Sequence, residues 1–389
     1  MTTSENLRTL ETELRGVVLH RDEEIHSAVL ALISELHHFT VGTPGTAKSF
    51  LVDQLLARIG GLEEHEVFKI LLTPFTTDVE VFGGYDLISL KEGNPRRVST
   101  GMLATATYAW FDEVYKGNSS ILNALLMAMN ERQYRDGNHL IQVPLKTLFG
   151  ASNEIPTEPL LKAQWDRFHF RLVSSALTSP SLERQLLDLE LDENPRPVVV
   201  ESELNEARAC LGGIVVPPSI KDALVDLRQS LRENGVEVTD RRFLQSLKII
   251  QAEAYWNDRG TAQIADLRPL KHVWWSELDD RPTVLRLIRD LADPLEGEAQ
   301  KILSEIDEAY ALYKADIAQA ANRPAVIASS RMLWKKVQVS WGMQKKLAAQ
   351  LETEGRTSFE VSNLSDRLYM ITSDISTHLG LDTDKLMGA

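Results

Sequence analysis

The segment Gly42-Thr-Pro-Gly-Thr-Ala-Lys48-Ser49 decides the fold of this chain. It follows the strand-like stretch HHFTV (37–41) and precedes the helix-like stretch SFLVDQLLARIG (49–60). In such a strand–loop–helix unit, backbone N–H groups can surround phosphates, and the helix N-terminus adds positive potential. Lys48 can reach the β- and γ-phosphates of a nucleotide, and the Ser49 hydroxyl can hold Mg²⁺. We therefore predict a nucleotide-binding loop formed by Gly42, Thr43, Pro44, Gly45, Thr46, Ala47, Lys48 and Ser49.

Ala47 departs from the usual pattern of such loops, in which a glycine precedes the lysine. Alanine lacks the ready access of glycine to positive φ, so we expect residue 47 to be helical already. The alternative for the whole segment is a glycine-rich turn with an exposed lysine. The alanine also leaves open a switch that assembles on ATP but hydrolyses it slowly.

Short apolar runs alternate with helical patterns from about Leu36 to Val173, which predicts a three-layer α/β domain with a parallel sheet. The runs are LHHFTV, EVFKILL, ATYAWFD, LKTLFGAS and FHFRLVS. After Ser179 the spacing becomes helical, which predicts a smaller all-helical domain. From Pro282 onward long charged amphipathic helices are predicted, as a bundle or an antiparallel arm. The predicted domains are residues 1–178, 179–280 and 281–389.

The composition limits the function classes that remain. The formal charge is −14, from 42 Lys and Arg against 56 Asp and Glu, which argues against non-specific binding of nucleic acid. No apolar run approaches the roughly 20 residues that cross a bilayer, and the N-terminus does not resemble a signal peptide, so we expect a cytoplasmic protein. Cys210 is the single cysteine, which excludes an internal disulfide and a cysteine-based metal cluster, and we expect it to be buried.

Polar side chains follow two further predicted strands. Tyr108-Ala-Trp-Phe111 runs into Asp112 and Glu113, at the end of a strand where α/β sheets carry their sites. Asp112 would hold hydrated Mg²⁺, and Glu113 would orient and activate the attacking water. Asn153 ends the next strand, where its amide can contact the γ-phosphate or position the water. The alternatives are a solvated Asp-Glu pair and an asparagine that only forms a turn.

Taken together, GTPGTAKS, YAWFDEV, GASNE, WDRF and TDRRF resemble the MoxR branch of AAA+ ATPases, and particularly its RavA-like subgroup. The resemblance covers about Arg15 to Trp275. It implies a P-loop NTPase domain followed by an all-α lid domain. It also implies a hairpin inserted at ISLKEGNPRRVSTG (88–101), which together with NERQYRDGNHLIQVP (130–144) lines a central pore or contacts a client.

The resemblance carries over two arginine roles. Arg167 in WDRF resembles the finger that one subunit inserts into the ATP site of its neighbour, with Arg171 as the substitute candidate. The alternative for Arg167 is an ion pair with Asp166 or another acid. Arg241 in TDRRF resembles the sensor arginine that reaches the same phosphate from the lid, and the adjacent Arg242 could replace it.

An apolar wall for the adenine is placed by the family just before the first long helix, here around Val17, Val18 and Ile25. The alternative for these three residues is ordinary core packing of an amphipathic helix.

A finger that acts in trans implies a ring, and AAA+ proteins of this type usually form hexamers. The resemblance further implies a partner with a von Willebrand factor A (vWA) domain and a chaperone-like action on protein complexes. The helical segment 282–389 departs from the RavA-like subgroup, which carries a strand-containing module there, so the partner of that module is not carried over. A nucleic-acid motor is the remaining alternative, in which Lys91, Arg96 and Arg97 would contact phosphates.

Overall fold

The computed structural model describes residues 2–93, 95–136, 139–156, 158–176, 180–189, 195–319, 323–353 and 359–379. The chain divides into two compact units, Met1–Val284 and Leu285–Ala389. Asn94, in the predicted Gly-Asn-Pro turn, lies outside the described residues.

A five-stranded parallel sheet forms the centre of the first unit, in the order β3-β4-β7-β1-β8. All residues of β1 and of β7 are buried, as expected for strands covered on both faces. The sheet confirms the predicted parallel α/β architecture. The described strands are β1 (His37–Gly42), β2 (Ile59–Gly60), β3 (Val67–Leu71), β4 (Tyr108–Asp112), β5 (Gln133–Asp136), β6 (His139–Gln142), β7 (Thr147–Ser152), β8 (Phe168–Ser174) and β9 (Val199–Val200).

Helices on either side of this sheet begin at residues suited to capping. The Thr2 side chain and Glu5 form a capping box for the first helix, and Asn118 accepts from two backbone N–H groups at the start of the sixth. The helices up to residue 187 are α1 (Thr3–Val17), α2 (Asp22–Ser34), α3 (Lys48–Ala57), α4 (Asp78–Phe82), α5 (Leu87–Lys91), α6 (Ser119–Glu131), α7 (Pro159–Trp165) and α8 (Pro180–Leu187).

The rest of the first unit is helical, as predicted for the lid. Its helices are α9 (Glu201–Leu211), α10 (Pro218–Glu233) and α11 (Asp240–Trp256), followed by a 3₁₀ segment (Ile264–His272). Helix α11 packs against α1, α2 and α9. Trp274 and Trp275 are fully buried, so they anchor the packing after the 3₁₀ segment. Helix α12 (Arg281–Ala292) contains the division between the two units.

The second unit is a three-helix bundle of α13 (Pro294–Gln319), α14 (Arg323–Thr353) and α15 (Phe359–Leu379). Each helix packs against the other two around a core that includes Val337, Leu364 and Leu368. The Tyr310 hydroxyl donates to Asp374 at 2.9 Å. Of the two predicted arrangements, a bundle and an antiparallel arm, the structure has the bundle.

Two expectations about this fold are wrong. In the described part of the inserted region, the chain forms α5 and one antiparallel bridge between Tyr85 and Arg97, where a hairpin was expected. Asp86 explains the helix, because its carboxylate accepts from the backbone N–H groups of Ile88 and Ser89. Cys210 is exposed and not buried, because it lies on the polar face of α9.

Among the described residues, none of the helices is both long enough and apolar enough to cross a membrane.

Candidate nucleotide site and arginine cluster

The loop between β1 and α3 has a tight backbone that favours glycine at two positions. A side chain at Gly42 would collide with the carbonyl oxygen of Ser174 on the neighbouring strand β8, so glycine is required there. Gly45 has a φ of +80°, which favours glycine as well. The Thr46 hydroxyl donates to the Thr43 carbonyl at 2.9 Å and braces the turn. The loop therefore has the tight backbone that close approach of a phosphate requires.

Ala47 is not helical, contrary to the sequence prediction. It has φ 62° and ψ 23°, in the left-handed region, and caps the N-terminus of α3. A residue with a Cβ atom costs roughly 1–2 kcal/mol in this conformation, so the loop holds Ala47 in the backbone shape of a glycine. The strained backbone of Ala47 therefore still supports the alternative of a switch that binds ATP but hydrolyses it slowly.

Lys48, Asn153 and Glu113 form one chain of polar contacts at the end of the sheet. The Lys48 ammonium donates to the Asn153 amide oxygen at 3.1 Å, and the Asn153 amide nitrogen donates to Glu113 Oε1 at 2.6 Å. Lys48 also donates to the carbonyls of Gly42 and Thr43. Partial burial lowers the pKa of Lys48, although the charges of Asp112 and Glu113 oppose this shift.

Glu113 has an unusual backbone and a second partner. Its φ of 50° and ψ of 46° are left-handed, and strain of this kind is concentrated at functional sites. The carboxylate lies 3.4 Å from the Lys116 ammonium, one turn along the chain. Lys116 was not predicted from the sequence, although its i+3 spacing from Glu113 is visible there. Glu113 is thus held from two sides by Asn153 and Lys116.

The oxygen ligands predicted for Mg²⁺ lie at the same edge of the sheet. Ser49 is exposed in the first turn of α3, and Asp112 is half-buried at the end of β4. A hydroxyl and a carboxylate are the hard oxygen donors that Mg²⁺ prefers, so these residues fit the ion.

The three residues predicted to line the adenine differ in their burial. Ile25 is fully buried in α2 and belongs to the core, which corrects its candidate role. Val18, at the end of α1, is 2% exposed, whereas Val17 is half-buried. Burial therefore favours core packing for Val18 as for Ile25, and the adenine contact stays a prediction in which Val17 is the more accessible residue.

Arg167 lies at the opposite edge of the sheet from the phosphate loop. It precedes β8, whose Phe168 pairs with His37 and whose Ser174 pairs with Gly42. A strand of this length spans about 20 Å, farther than one side chain reaches. Arg167 Nε donates to the Asn130 side chain at 3.1 Å, and its Nη1 donates to the Ala163 carbonyl at 2.9 Å.

Asp166 brings Arg241 to the same edge. Arg241 Nη1 lies 3.5 Å from Asp166 Oδ2, and Arg167 Nη1 lies 4.0 Å from the same oxygen. Burial is the main cause that lowers the pKa of Arg167, and the nearby charge of Arg241 lowers it further. Arg167 and Arg241 thus form a cationic pair of partly exposed side chains. Asp166 is visible in the WDRF motif of the sequence. Its contact with the arginines of the TDRRF motif is visible only in the fold.

The two substitute arginines are buried, which corrects both assignments. Arg242 is 2% exposed and bonds Asp166, Ser276 and the Trp275 carbonyl, and burial lowers its pKa to about 10. Arg171 is fully buried and donates to three backbone carbonyls, and burial holds its pKa well below the usual value. Neither guanidinium is available to a phosphate, because each is buried and already bonded to other groups of this chain.

Arg97 is also taken up by internal contacts. Its Nη2 bonds Asp78 at 2.5 Å, its Nε bonds Asp136 at 3.1 Å, and its side chain is only 9% exposed. The nucleic-acid alternative therefore loses Arg97 as a phosphate contact, whereas Lys91 and Arg96 are exposed. Through Asp136, Arg97 joins the inserted segment to the β5–β6 hairpin.

Two family models match the first unit. Residues 5–205 match the MoxR domain in the MoxR-vWA-beta-propeller ternary systems, and residues 219–288 match an AAA lid domain. Together the models span both the sheet with its phosphate loop and the helices that carry Arg241.

Similar proteins come from archaea and bacteria. Two uncharacterised proteins of Methanocaldococcus jannaschii are 38% and 39% identical, over 74% and 70% of this chain and 74% and 72% of their own lengths. The chaperone MoxR1 of Mycobacterium tuberculosis is 26% identical over 45% of each chain. A crystal structure of a candidate ATPase from Cytophaga hutchinsonii has a TM-score of 0.60 at 17% identity, covering 74% of this chain and 94% of its own, which shows a shared fold.

Proposed function

This chain belongs to the MoxR family of AAA+ ATPases, and from that premise we propose that it hydrolyses ATP at sites completed by a neighbouring subunit. The observation that carries the proposal is the separation of two half-sites. Lys48, Asn153 and Glu113 lie at one edge of the sheet, and Arg167 and Arg241 lie at the other. The two halves can meet only between subunits, and repeated head-to-tail contacts of this kind close a ring, which we propose to be a hexamer.

In this proposal each residue of the first half-site has one role. Glu113 accepts the proton of the attacking water, and Asn153 fixes the carboxylate through its 2.6 Å hydrogen bond. Lys48 turns from the carbonyls of its own loop to the β- and γ-phosphates when a nucleotide binds. Ser49 and Asp112 would hold Mg²⁺, which neutralises charge that develops on the phosphates.

The second half-site would act on the nucleotide of the neighbour. Arg167 and Arg241 would stabilise the negative charge that develops on the γ-phosphate oxygens. A guanidinium suits this role because its N–H groups form a fixed fork that matches phosphate oxygens.

We further propose that the cycle remodels or assembles protein complexes together with a vWA-domain protein. The matching family model describes MoxR domains in ternary systems with vWA and beta-propeller partners, and the MoxR1 relative is named a chaperone. Exposed apolar side chains support a client contact, because Leu87 and Ile88 of α5 are 70% and 69% exposed, and Phe75, which lies between β3 and α4, is 88% exposed. The RavA-like subgroup, the domain boundaries and the cytoplasmic location stay predictions.

A slow ATP-dependent switch is the second candidate. The left-handed Ala47 and the two partners that hold Glu113 favour it, because both oppose rapid rearrangement at the phosphate loop.

ATP turnover per subunit, measured across protein concentrations, tests the proposal. We expect turnover to rise with concentration as subunits associate, and to be lost in Lys48→Ala at every concentration. Turnover that is constant with dilution would contradict a shared site. ATP-driven assembly without turnover would favour the switch.

A further inference from the structure

Asp166 occupies the junction between the α/β domain and α11. It is the C-cap residue that follows α7, and its Oδ1 accepts from the Thr239 hydroxyl at 3.1 Å. The same oxygen lies 2.9 Å from Arg242 Nη2, whereas Oδ2 faces Arg241 at 3.5 Å and Arg167 at 4.0 Å. One carboxylate, with its side chain 18% exposed, therefore faces three guanidinium groups.

The charges of this cluster do not balance. The charge of Asp280 also acts on the buried Arg242, whereas Arg167 and Arg241 share the carboxylate of Asp166, so an excess of positive charge remains at these two arginines. Arg242 is buried behind the cluster, whereas Arg167 and Arg241 have side chains 21% and 39% exposed. An anion that reaches the two exposed groups would be stabilised by charge-assisted hydrogen bonds.

Arg241 depends more on Asp166 for its position than Arg167 does. Arg167 is also held by Asn130 and by the Ala163 carbonyl. Among the described residues, Asp166 is the one acid that pairs with Arg241. Through Thr239, the N-cap of α11, Asp166 also fixes the first turn of the helix that carries Arg241.

We propose that Asp166 is a positioning residue that presents Arg167 and Arg241 as one pair to the polyphosphate of a nucleotide bound by the adjacent subunit. The inference rests on the proposed function and deepens it. It adds that the finger motif and the lid motif act together because they share one carboxylate. A change at Asp166 then damages the site of the neighbour and spares the site of its own subunit.

Asp166→Asn is the sharpest variant, because the amide oxygen can still accept from Thr239 while the charge is lost. We expect turnover to fall at least about tenfold, since small displacements of catalytic groups are costly. ATP affinity in the absence of turnover should stay within about twofold, because the phosphate loop is distant and independent. Thermal unfolding, measured in parallel, shows whether the variant remains folded.

Subunit mixing separates positioning from a merely structural role. Asp166→Asn subunits keep Glu113, and Glu113→Gln subunits keep their arginines. Each variant alone should be slow, but mixed rings should regain turnover at junctions that combine the intact halves. If Asp166 only supported its own subunit, the mixture would stay as slow as the two separate variants, which would overturn the inference.

Asp240→Asn is the matched control. Asp240 adjoins Arg241 but is 89% exposed and pairs with Arg228, so we expect nearly wild-type turnover. If the native chain shows no turnover, the proposed function fails. If the native chain is active and Arg167→Ala is inactive while Asp166→Asn matches the native chain, the inference about Asp166 fails alone.

Discussion

The two edges of the central sheet carry opposite kinds of chemistry. At the carboxyl ends of the strands, Asn153 links the Lys48 ammonium to the carboxylate of Glu113 in a partly exposed network. At the other edge, the single carboxylate of Asp166 faces an excess of guanidinium groups. The first edge has the acid, amide and lysine of a hydrolytic site, and the second has the cations that such a site needs.

The difference between the edges is the basis for the proposal that one subunit does not form a complete site. The β8 register places the arginines about 20 Å from the phosphate loop of the same chain. The buried Arg171 and Arg242 cannot supply the missing charge, because each is bonded within its own subunit. We therefore propose that the second edge serves a different nucleotide from the one bound by its own chain.

Arg167→Ala, a change at the second edge, should have the largest effect on ATP turnover. We expect turnover to fall on the order of 10³-fold or more, because an arginine finger stabilises charge at the transition state. Steady-state ATP turnover and equilibrium ATP binding should be measured on the same preparation, with binding expected to persist. Arg232→Ala, at an exposed position on α10, is the control. An equal loss of ATP affinity would place Arg167 in its own nucleotide site and contradict the account.

Glu113→Gln tests the first edge. We expect turnover to fall by about 10²- to 10⁴-fold, the range for loss of a general base. ATP should still bind, because Lys48 and the loop backbone are unchanged. The exposed Glu64, changed to Gln, provides a control of the same chemistry at another surface. Rapid single-turnover hydrolysis by Glu113→Gln would assign the base to another residue.

Asn153→Ala and Lys116→Ala together test which of the two partners of Glu113 positions its carboxylate. Asn153 joins Lys48 to Glu113, so its loss should lower turnover by about 10²-fold. Lys116 is more exposed and its contact is longer, so we expect a loss of less than about tenfold. Single-turnover rates at saturating ATP measure both effects. The reverse order would show that Lys116, and not Asn153, positions the carboxylate.

Ala47→Gly should have the smallest effect. Glycine adopts the left-handed backbone without strain, so the free energy of unfolding should rise by up to about 1 kcal/mol. Urea unfolding of the two proteins compares their stability, and ATP affinity should be equal or tighter. A loss of stability would show that the loop is not strained at this residue.

The strands of the central sheet were predictable because each is a compact apolar run bounded by polar residues. LKTLFGAS, for example, contains β7, all of whose residues are buried. The helix α5 was not predicted, because its five residues are too few to show a helical period, and its cap, Asp86, acts through backbone contacts. The two-residue strands β2 and β9 are too short to carry a periodic pattern.

The site residues were predictable where residues close together in the sequence also set the local backbone of the site. Lys48 follows a glycine-rich loop, and Glu113 follows a buried strand. The burial of Arg242 was not predictable, because its contact with the Trp275 carbonyl joins residues 33 positions apart. Asp166 likewise takes its place from a hydrogen bond to Thr239, 73 positions away. Long-range contacts of this kind leave no local pattern in a single sequence.

Mixing Arg167→Ala subunits with Glu113→Gln subunits tests the central claim most directly. Each variant lacks one half-site and should be nearly inactive alone. The account predicts that ATP turnover reappears in the mixture, with a maximum near equal proportions, because junctions then combine Glu113 of one subunit with Arg167 of the next. A mixture that stays as inactive as its separate components, although the subunits assemble together, would contradict a site shared between subunits.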